Sequence, residues 1–178
     1  MSRSPVGPQV LPTALELFSR QGFHGTSMQE VAERLEITKP ALYHHVRSKE
    51  EVLTRLAQPF LDDVDRLLAQ PPEGRPRILS AYLEILARHR SMIRVIGGDP
   101  SVRNHPAIRD RFACQIDVMY DLLAGSEPTP GDRVRAAAAV GALWQPLAEL
   151  PELELKPHWA DLVGAALAAL ESSPTDLA

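Results

Sequence analysis

Residues 26–53 read TSMQEVAERLEITKPALYHHVRSKEEVL, and the way this stretch folds decides the architecture. Thr26 or Ser27 suits a helix N-cap, because a side-chain oxygen there accepts a bond from an otherwise unpaired amide of the first turn. Met28, Val31, Ala32 and Leu35 recur at helical spacing and give a short helix one apolar face. After Glu36 and Ile37, Thr38 caps a further helix whose opening turn tolerates Pro40. That helix turns Leu42 and Val46 inward, four residues apart, and is expected to run into Arg47. Ser48, with Glu51 three residues on, reads as a capping box that opens the next helix.

Helical periodicity extends outward in both directions, while hairpin dipeptides and β-branched runs are missing. Upstream, Leu11, Ala14, Leu15 and Phe18 share a face; Pro12 is expected in the first turn of that helix and Gly22 at its end. Downstream, Leu53, Leu56, Ala57, Phe60, Leu61, Val64, Leu67 and Leu68 stripe a long fourth helix that Pro71 and Pro72 terminate. Pro59 sits inside it and is expected to break it into two parts, since proline cannot donate to the carbonyl of residue 55. Further helices are expected at about 76–89, 91–96, from 106, at about 132–150 and at about 158–171, with GGDPSVRNHP (97–106) as loop. The fold class is therefore all-α, about nine helices in total. An N-terminal three-helix helix-turn-helix unit at 1–48 is followed by a larger helical domain at 49–178.

The 178 residues are 44% hydrophobic and 24% charged, which suits a soluble domain with a real core. No apolar run is long enough to cross a bilayer and MSRSPVGPQ holds no signal-peptide core, so a cytoplasmic protein is expected. Cys114 is the only cysteine, which excludes intrachain disulfides and thiolate clusters, and it reads as a buried small hydrophobe. The net charge of −4 is uneven. Residues 1–50 carry six Lys/Arg and five Asp/Glu, whereas the remainder is clearly acidic.

The outer face of the third helix carries the chemistry. With Leu42 and Val46 buried, Lys39, Ala41, Tyr43, His44 and His45 are left for the outside or the edges. Small residues at the helix start (Pro40, Ala41) allow close approach to a groove, and Tyr43, His45 and Lys49 can bond flanking phosphates. The two adjacent histidines are not a metal site: neighbours on a helix diverge by about 100°, so they cannot chelate together. No Gly-rich phosphate loop, nucleophile elbow or paired metal histidines occur, so neither catalysis nor a cofactor is expected.

Residues 14–53, ALELFSRQGFHGTSMQEVAERLEITKPALYHHVRSKEEVL, resemble the DNA-binding region of the TetR family of transcriptional regulators. Phe18 and Gly22, Thr26-Ser27, Val31-Ala32, Leu42-Tyr43, His45 and Ser48-Lys49 carry the likeness. The resemblance implies that Gln29, Lys39, Pro40, Ala41 and His44 lie near base edges, that Ser27, Tyr43, His45 and Lys49 contact phosphates, and that Thr38 belongs to the same interface. Three positions depart from the pattern. Glu36 replaces the usual turn glycine, implying a left-handed residue or a rebuilt turn; Val46 replaces a common phenylalanine; and Arg3 is the only cation of the N-terminal arm.

The same resemblance implies a homodimer through the last two helices, whose small residues (Ala136 to Ala139, Gly141, Ala142, Gly164 to Ala166, Ala168, Ala169) allow close packing. The expected function is a ligand-responsive repressor that places two reader helices in successive major grooves of a near-palindromic operator and is released by a small apolar molecule. Tyr82, His89, Met92, Phe112, Gln115, Met119 and Trp144 are the candidates to line the small-molecule cavity. His89 and Gln115 stand out as polar members of apolar faces. The competing reading is a helical protein–protein module that has kept the fold without specific DNA binding.

Overall fold

Ten helices and no strand make up the computed structural model, which describes residues 7–150 and 152–172, the Pro8 side chain excepted. They are α1 (Gly7–Gln21), α2 (Met28–Arg34), α3 (Lys39–Tyr43), α4 (Lys49–Ala69), α5 (Arg75–Arg88), α6 (Arg90–Gly98), α7 (Pro100–Arg103), α8 (Pro106–Ala124), α9 (Pro130–Glu149) and α10 (Trp159–Glu171). Arg3 lies outside the described residues. No helix among those described is long and apolar enough to cross a membrane.

The N-terminal helices follow their apolar spacing. Val10, Ala14 and Phe18 of α1 are buried, and Gly22 ends the helix at φ +80°, where a side chain would be strained. α1 begins at Gly7, so Pro12 lies well inside it and not in the first turn. α3 stops at Tyr43, short of the expected Arg47. The amides of His44 and His45 bond back to the carbonyls of Ala41 (3.3 Å) and Leu42 (2.9 Å), a tightened last turn. The Arg47 amide is taken by the Glu51 carboxylate at 2.7 Å. Ser48 caps α4 by accepting from the Glu51 amide at 3.1 Å, but because Glu51 reaches back to Arg47, the reciprocal half of the expected capping box does not form.

The break expected at Pro59 does not occur, and α4 is helical throughout. The exposed proline ring lies on the solvent side, while Ala57, Phe60 and Leu61 are buried in the core and keep the helix continuous. One lost hydrogen bond is outweighed by that burial. The segment expected as loop at 97–106 is largely helical: α6 continues to Gly98, Asp99 caps α7 through the Ser101 amide (3.0 Å), and α7 makes the tenth helix. Cys114 is exposed. The inward face of α8 is Ile108, Gln115, Met119 and Leu123, and position 114 is rotated by about 100° from Gln115.

α1 lies against α2, α4 and α6, and α4 lies against α5 and α8, so one continuous core links the N-terminal helices to the body. α9 and α10 pack on each other, and α9 also packs on α6 and α8. At Gly97 the contact of α6 with α9 is close enough that an added Cβ would sit 2.9 Å from the Ala148 Cβ.

Candidate nucleic-acid interface

The segment from α2 to α3 is built by three backbone devices. Ser27 accepts from the Glu30 amide (3.2 Å), while the Glu30 carboxylate accepts from the Ser27 amide (2.6 Å), a complete capping box. These bonds from the Ser27 backbone and hydroxyl hold the Glu30 carboxyl below its ordinary range. At the other end of α2, the Glu36 amide donates to Glu33 O (3.0 Å) and the Ile37 amide to Ala32 O (3.0 Å), the paired bonds of a Schellman stop. Glu36 is the left-handed residue of that motif, with φ 56°, so the turn keeps its ordinary shape at a cost of about 1–2 kcal/mol. Thr38 then caps α3 through the Ala41 amide at 3.3 Å.

Beneath α3, Leu42 and Val46 are 0% and 2% exposed, which fixes the helix by its inner face. Ser27, Gln29, Thr38, Lys39, Pro40, Tyr43, His44 and His45 are exposed, and Ala41 is half-buried. Some of these residues already have local partners. Gln29 donates to Glu33 at 2.8 Å, and the His45 carbonyl accepts from Arg55 at 3.2 Å. The hydroxyls of Ser27 and Thr38 accept from the helix amides; the Thr38 O–H proton stays available as a donor, whereas that of Ser27 is directed at the Glu30 carboxylate.

Lys49 is placed differently from the sequence expectation. Its Nζ donates to the carbonyls of Phe23 (2.9 Å) and Thr26 (3.0 Å) and lies 4.4 Å from the centre of the Phe23 ring. The ammonium therefore ties the α1–α2 turn to the first turn of α4. Arg20 and Arg34 are also engaged, each facing Glu16, at 3.3 and 3.4 Å. Among the described residues up to position 50, Lys39 and Arg47 are the Lys and Arg side chains with neither an ion pair nor a side-chain hydrogen bond.

The seven residues expected around a small-molecule cavity are not gathered in one place. A half-open groove of about 420 Å³ runs between α8 and α9, and of the seven only Phe112 and Trp144 line it. Arg103, Asn104, Arg109, Ala113, Ile116 and Tyr120 continue the same wall, facing Ala137, Val140 and Gly141. Tyr82, Gln115 and Met119 instead surround a closed gap behind Phe112 and Ile116 that has no room for a water. Met92 is core. His89 is not short of a partner: its Nε2 donates to the Asp63 carboxylate at 2.8 Å, since a carboxylate can only accept. Arg88 (2.8 Å) and Arg66 donate to the same carboxylate. Burial works to raise the pKa of Asp63, but the bonds from His89 and Arg88 and the charge of Arg66 outweigh it and hold the carboxyl below its ordinary value.

Gln115 donates through its amide nitrogen to Leu61 O (2.7 Å) and to Asp65, leaving Oε1 without a partner. One turn earlier, Arg111 bridges Asp62 and Asp65 of α4. α8 thus shows one face to the groove and another, polar face to α4. The groove residues of α8 at 109, 112, 113, 116 and 120 do share one helical stripe. Splitting α8 into two faces would have found them from sequence. Among the described residues, no cluster of His, Cys, Asp and Glu could hold a metal.

Residues 10–56 match the family model described as bacterial regulatory proteins, tetR family. The chain is 26% identical over 140 residues to the transcriptional activator FasR of Mycolicibacterium smegmatis, covering 73% of this chain and 64% of the relative. It is 29% identical over 127 residues to the transcriptional repressor KstR2 of Mycobacterium tuberculosis, covering 65% and 63%. The chain thus spans just under two thirds of the length of these curated relatives. Among solved structures, a TetR-like transcriptional regulator from Rhodococcus sp. RHA1 superposes with a TM-score of 0.68 at 26% identity, covering 97% of this chain and 100% of that one. The M. tuberculosis KstR2 structure shares the fold, with a TM-score of 0.71 at 19% identity over 92% and 95% of the two chains. The matched segment contains α2, α3 and the turn between them, and the Rhodococcus likeness carries on through the remaining helices, so residues 10–56 form a DNA-binding segment of the tetR family type and the chain as a whole is similar in fold to TetR-like regulators.

Proposed function

We propose that this chain is a cytoplasmic DNA-binding transcriptional repressor that works as a homodimer on a near-palindromic operator and is released by a small apolar molecule. The observation that carries the reading is the outer face of α3 and its last turn: within the family-matched segment, Lys39, Pro40, Tyr43, His44 and His45 are exposed, above the buried Leu42 and Val46. Lys39, Pro40, Ala41, His44 and Gln29 read base edges. Ser27, Thr38, Tyr43 and His45 hold the backbone, with the Thr38 hydroxyl donating to phosphate. Lys49 acts as a positioning residue, fixing the α1–α2 turn against α4. The division falls at Ser48, between a DNA-binding unit at 1–48 and a ligand and dimerisation unit at 49–178.

The dimer forms through α9 and α10, whose outward positions Val134, Ala138, Gly164, Ala165 and Ala168 are exposed in the single chain. Release needs only that the effector bind the spacing that cannot hold DNA more tightly than the spacing that can. The polar contacts of Arg111 and Gln115 with α4 supply a path from α8 to the reader unit, in place of a hinge at Pro59. Of the two curated relatives above, one is named an activator and the other a repressor. Repression is the reading adopted here.

Selection of genomic fragments with the purified protein, followed by fluorescence anisotropy against salt, tests the function. A specific site with two-fold symmetry should emerge. With Lys39 and Arg47 available in each of two subunits, its log K should fall with log salt at a slope of about −4. Failure to enrich any sequence, with no salt dependence, would favour the protein–protein module.

A further inference from the structure

We propose that the effector is an amphipathic carboxylate, lying along the α8–α9 groove with its anionic head at Arg103 and Asn104. This rests on the effector-responsive reading above and adds to it a site and a ligand class.

The cations that line the groove lie at one end only, and Tyr120 closes the other. Arg109 and Tyr120 both line it, eleven residues apart on α8, so it extends about 16 Å along that helix. α9 runs the opposite way beside it. Phe112 meets Trp144 at 5.5 Å between ring centres, and further along α8 Arg133 of α9 pairs with Asp117 and Asp121. The Trp144 end of the groove is therefore also the end with Arg103, Asn104 and Arg109, while Ile116, Ala137 and Val140 line the apolar remainder. No carboxylate lines the groove.

The charges at the polar end are not equivalent. Arg109 is paired with Asp110 at 2.8 Å. Arg103 is exposed and makes no ion pair or hydrogen bond with any described residue. A guanidinium beside an amide, opening on an apolar slot, is complementary to a planar anion on a hydrocarbon body. A volume of about 420 Å³ falls within the size range of small-molecule sites.

Gly141 supplies the control. A Cβ added there meets nothing within 4 Å, so Gly141→Leu fills the groove without touching the core, and leucine favours a helix interior over glycine. Trp144 lines the groove and reports on occupancy once Trp159, the other tryptophan, is replaced by phenylalanine.

The probes are decanoate and 1-decanol, titrated against Trp159→Phe protein below their aggregation limits. Decanoate should quench Trp144 saturably and bind about tenfold or more tightly than the alcohol. Arg103→Ala should remove that preference and leave the alcohol's affinity unchanged. Gly141→Leu should abolish both signals, with size-exclusion chromatography showing that the dimer, whose small-residue stripe on α9 includes Gly141, is retained. Equal binding of the two probes, an acid preference that survives Arg103→Ala, quenching that persists in Gly141→Leu, or no saturable binding would each overturn the inference. The two readings fail separately. Specific DNA binding without decanoate binding counts against the groove assignment alone, and decanoate binding without any specific DNA counts against the regulator reading alone.

Discussion

Replacing Lys49 with methionine separates a structural tie from a phosphate clamp. Methionine keeps the length and apolar character of the stem but cannot donate to the carbonyls of Phe23 and Thr26, which Nζ reaches at 2.9 and 3.0 Å. Two hydrogen bonds from a charged donor contribute roughly 1.5 kcal/mol each at the lower end of their range, and the contact with the Phe23 ring adds about 0.5 kcal/mol. Two effects offset part of this. Lys49 is half-buried, so water can reach the vacated carbonyls, and removing a cation from the first turn of α4 relieves about 0.5 kcal/mol of helix-dipole repulsion. A net loss of about 2 kcal/mol follows, which for a chain of this size lowers the melting temperature by roughly 4–8 °C. Thermal denaturation followed by circular dichroism measures it directly. The second arm is the salt dependence of DNA binding. A residue that neutralises a phosphate takes about 0.9 from the log–log slope per contact when removed, whereas a positioning residue leaves the slope unchanged. An unaltered melting temperature together with a shallower slope would refute the tie and restore Lys49 to the phosphate backbone.

Two other perturbations test the body of the protein. Asp63→Asn removes the carboxylate shared by Arg66, Arg88 and His89 and should cost about 2 kcal/mol near neutral pH. Because folding lowers the pKa of Asp63 from its ordinary 3.8, its contribution is complete above that value and is lost as pH falls through the lower folded value. The gap between wild type and variant in urea denaturation should therefore close on acidification, and a gap independent of pH would contradict the assignment. Gly97→Ala places a methyl 2.9 Å from the Ala148 Cβ, so α6 and α9 must part, at a cost of about 1–3 kcal/mol. Trp144 Nε1 is 3.4 Å from the same added atom, and its fluorescence should shift; an unchanged melting temperature and spectrum would show that the helices part freely.

The α2–α3 region was legible because its determinants are local. Ser27 and Thr38 announce their caps by residue type, Leu42 and Val46 by spacing, and Glu36 was legible as a choice between a left-handed residue and a rebuilt turn, which φ 56° resolves. The tie made by Lys49 was not legible because its partners are the backbone oxygens of residues 23 and 26, and a carbonyl leaves no mark on sequence. His89 looked like a polar side chain in search of a ligand because its partner, Asp63, lies 26 residues upstream on another helix. Pro59 and Cys114 failed for a related reason. Which side of a helix faces solvent is settled by neighbours that the local pattern does not identify. The groove was only partly visible, since α8 carries two working faces and a single apolar stripe was sought.

The ion pairs on Glu16 and the engagement of Lys49 have a consequence for search. A protein that must find one site in a genome competes against its own attraction to every other stretch of duplex, and that attraction comes from unspecific contact of cations with phosphate. Holding Arg20, Arg34 and Lys49 on internal acceptors leaves few charges to grip arbitrary sequence. On the proposed repressor function, such a molecule would dwell briefly at wrong sites, leaving more of its population free to reach the right one.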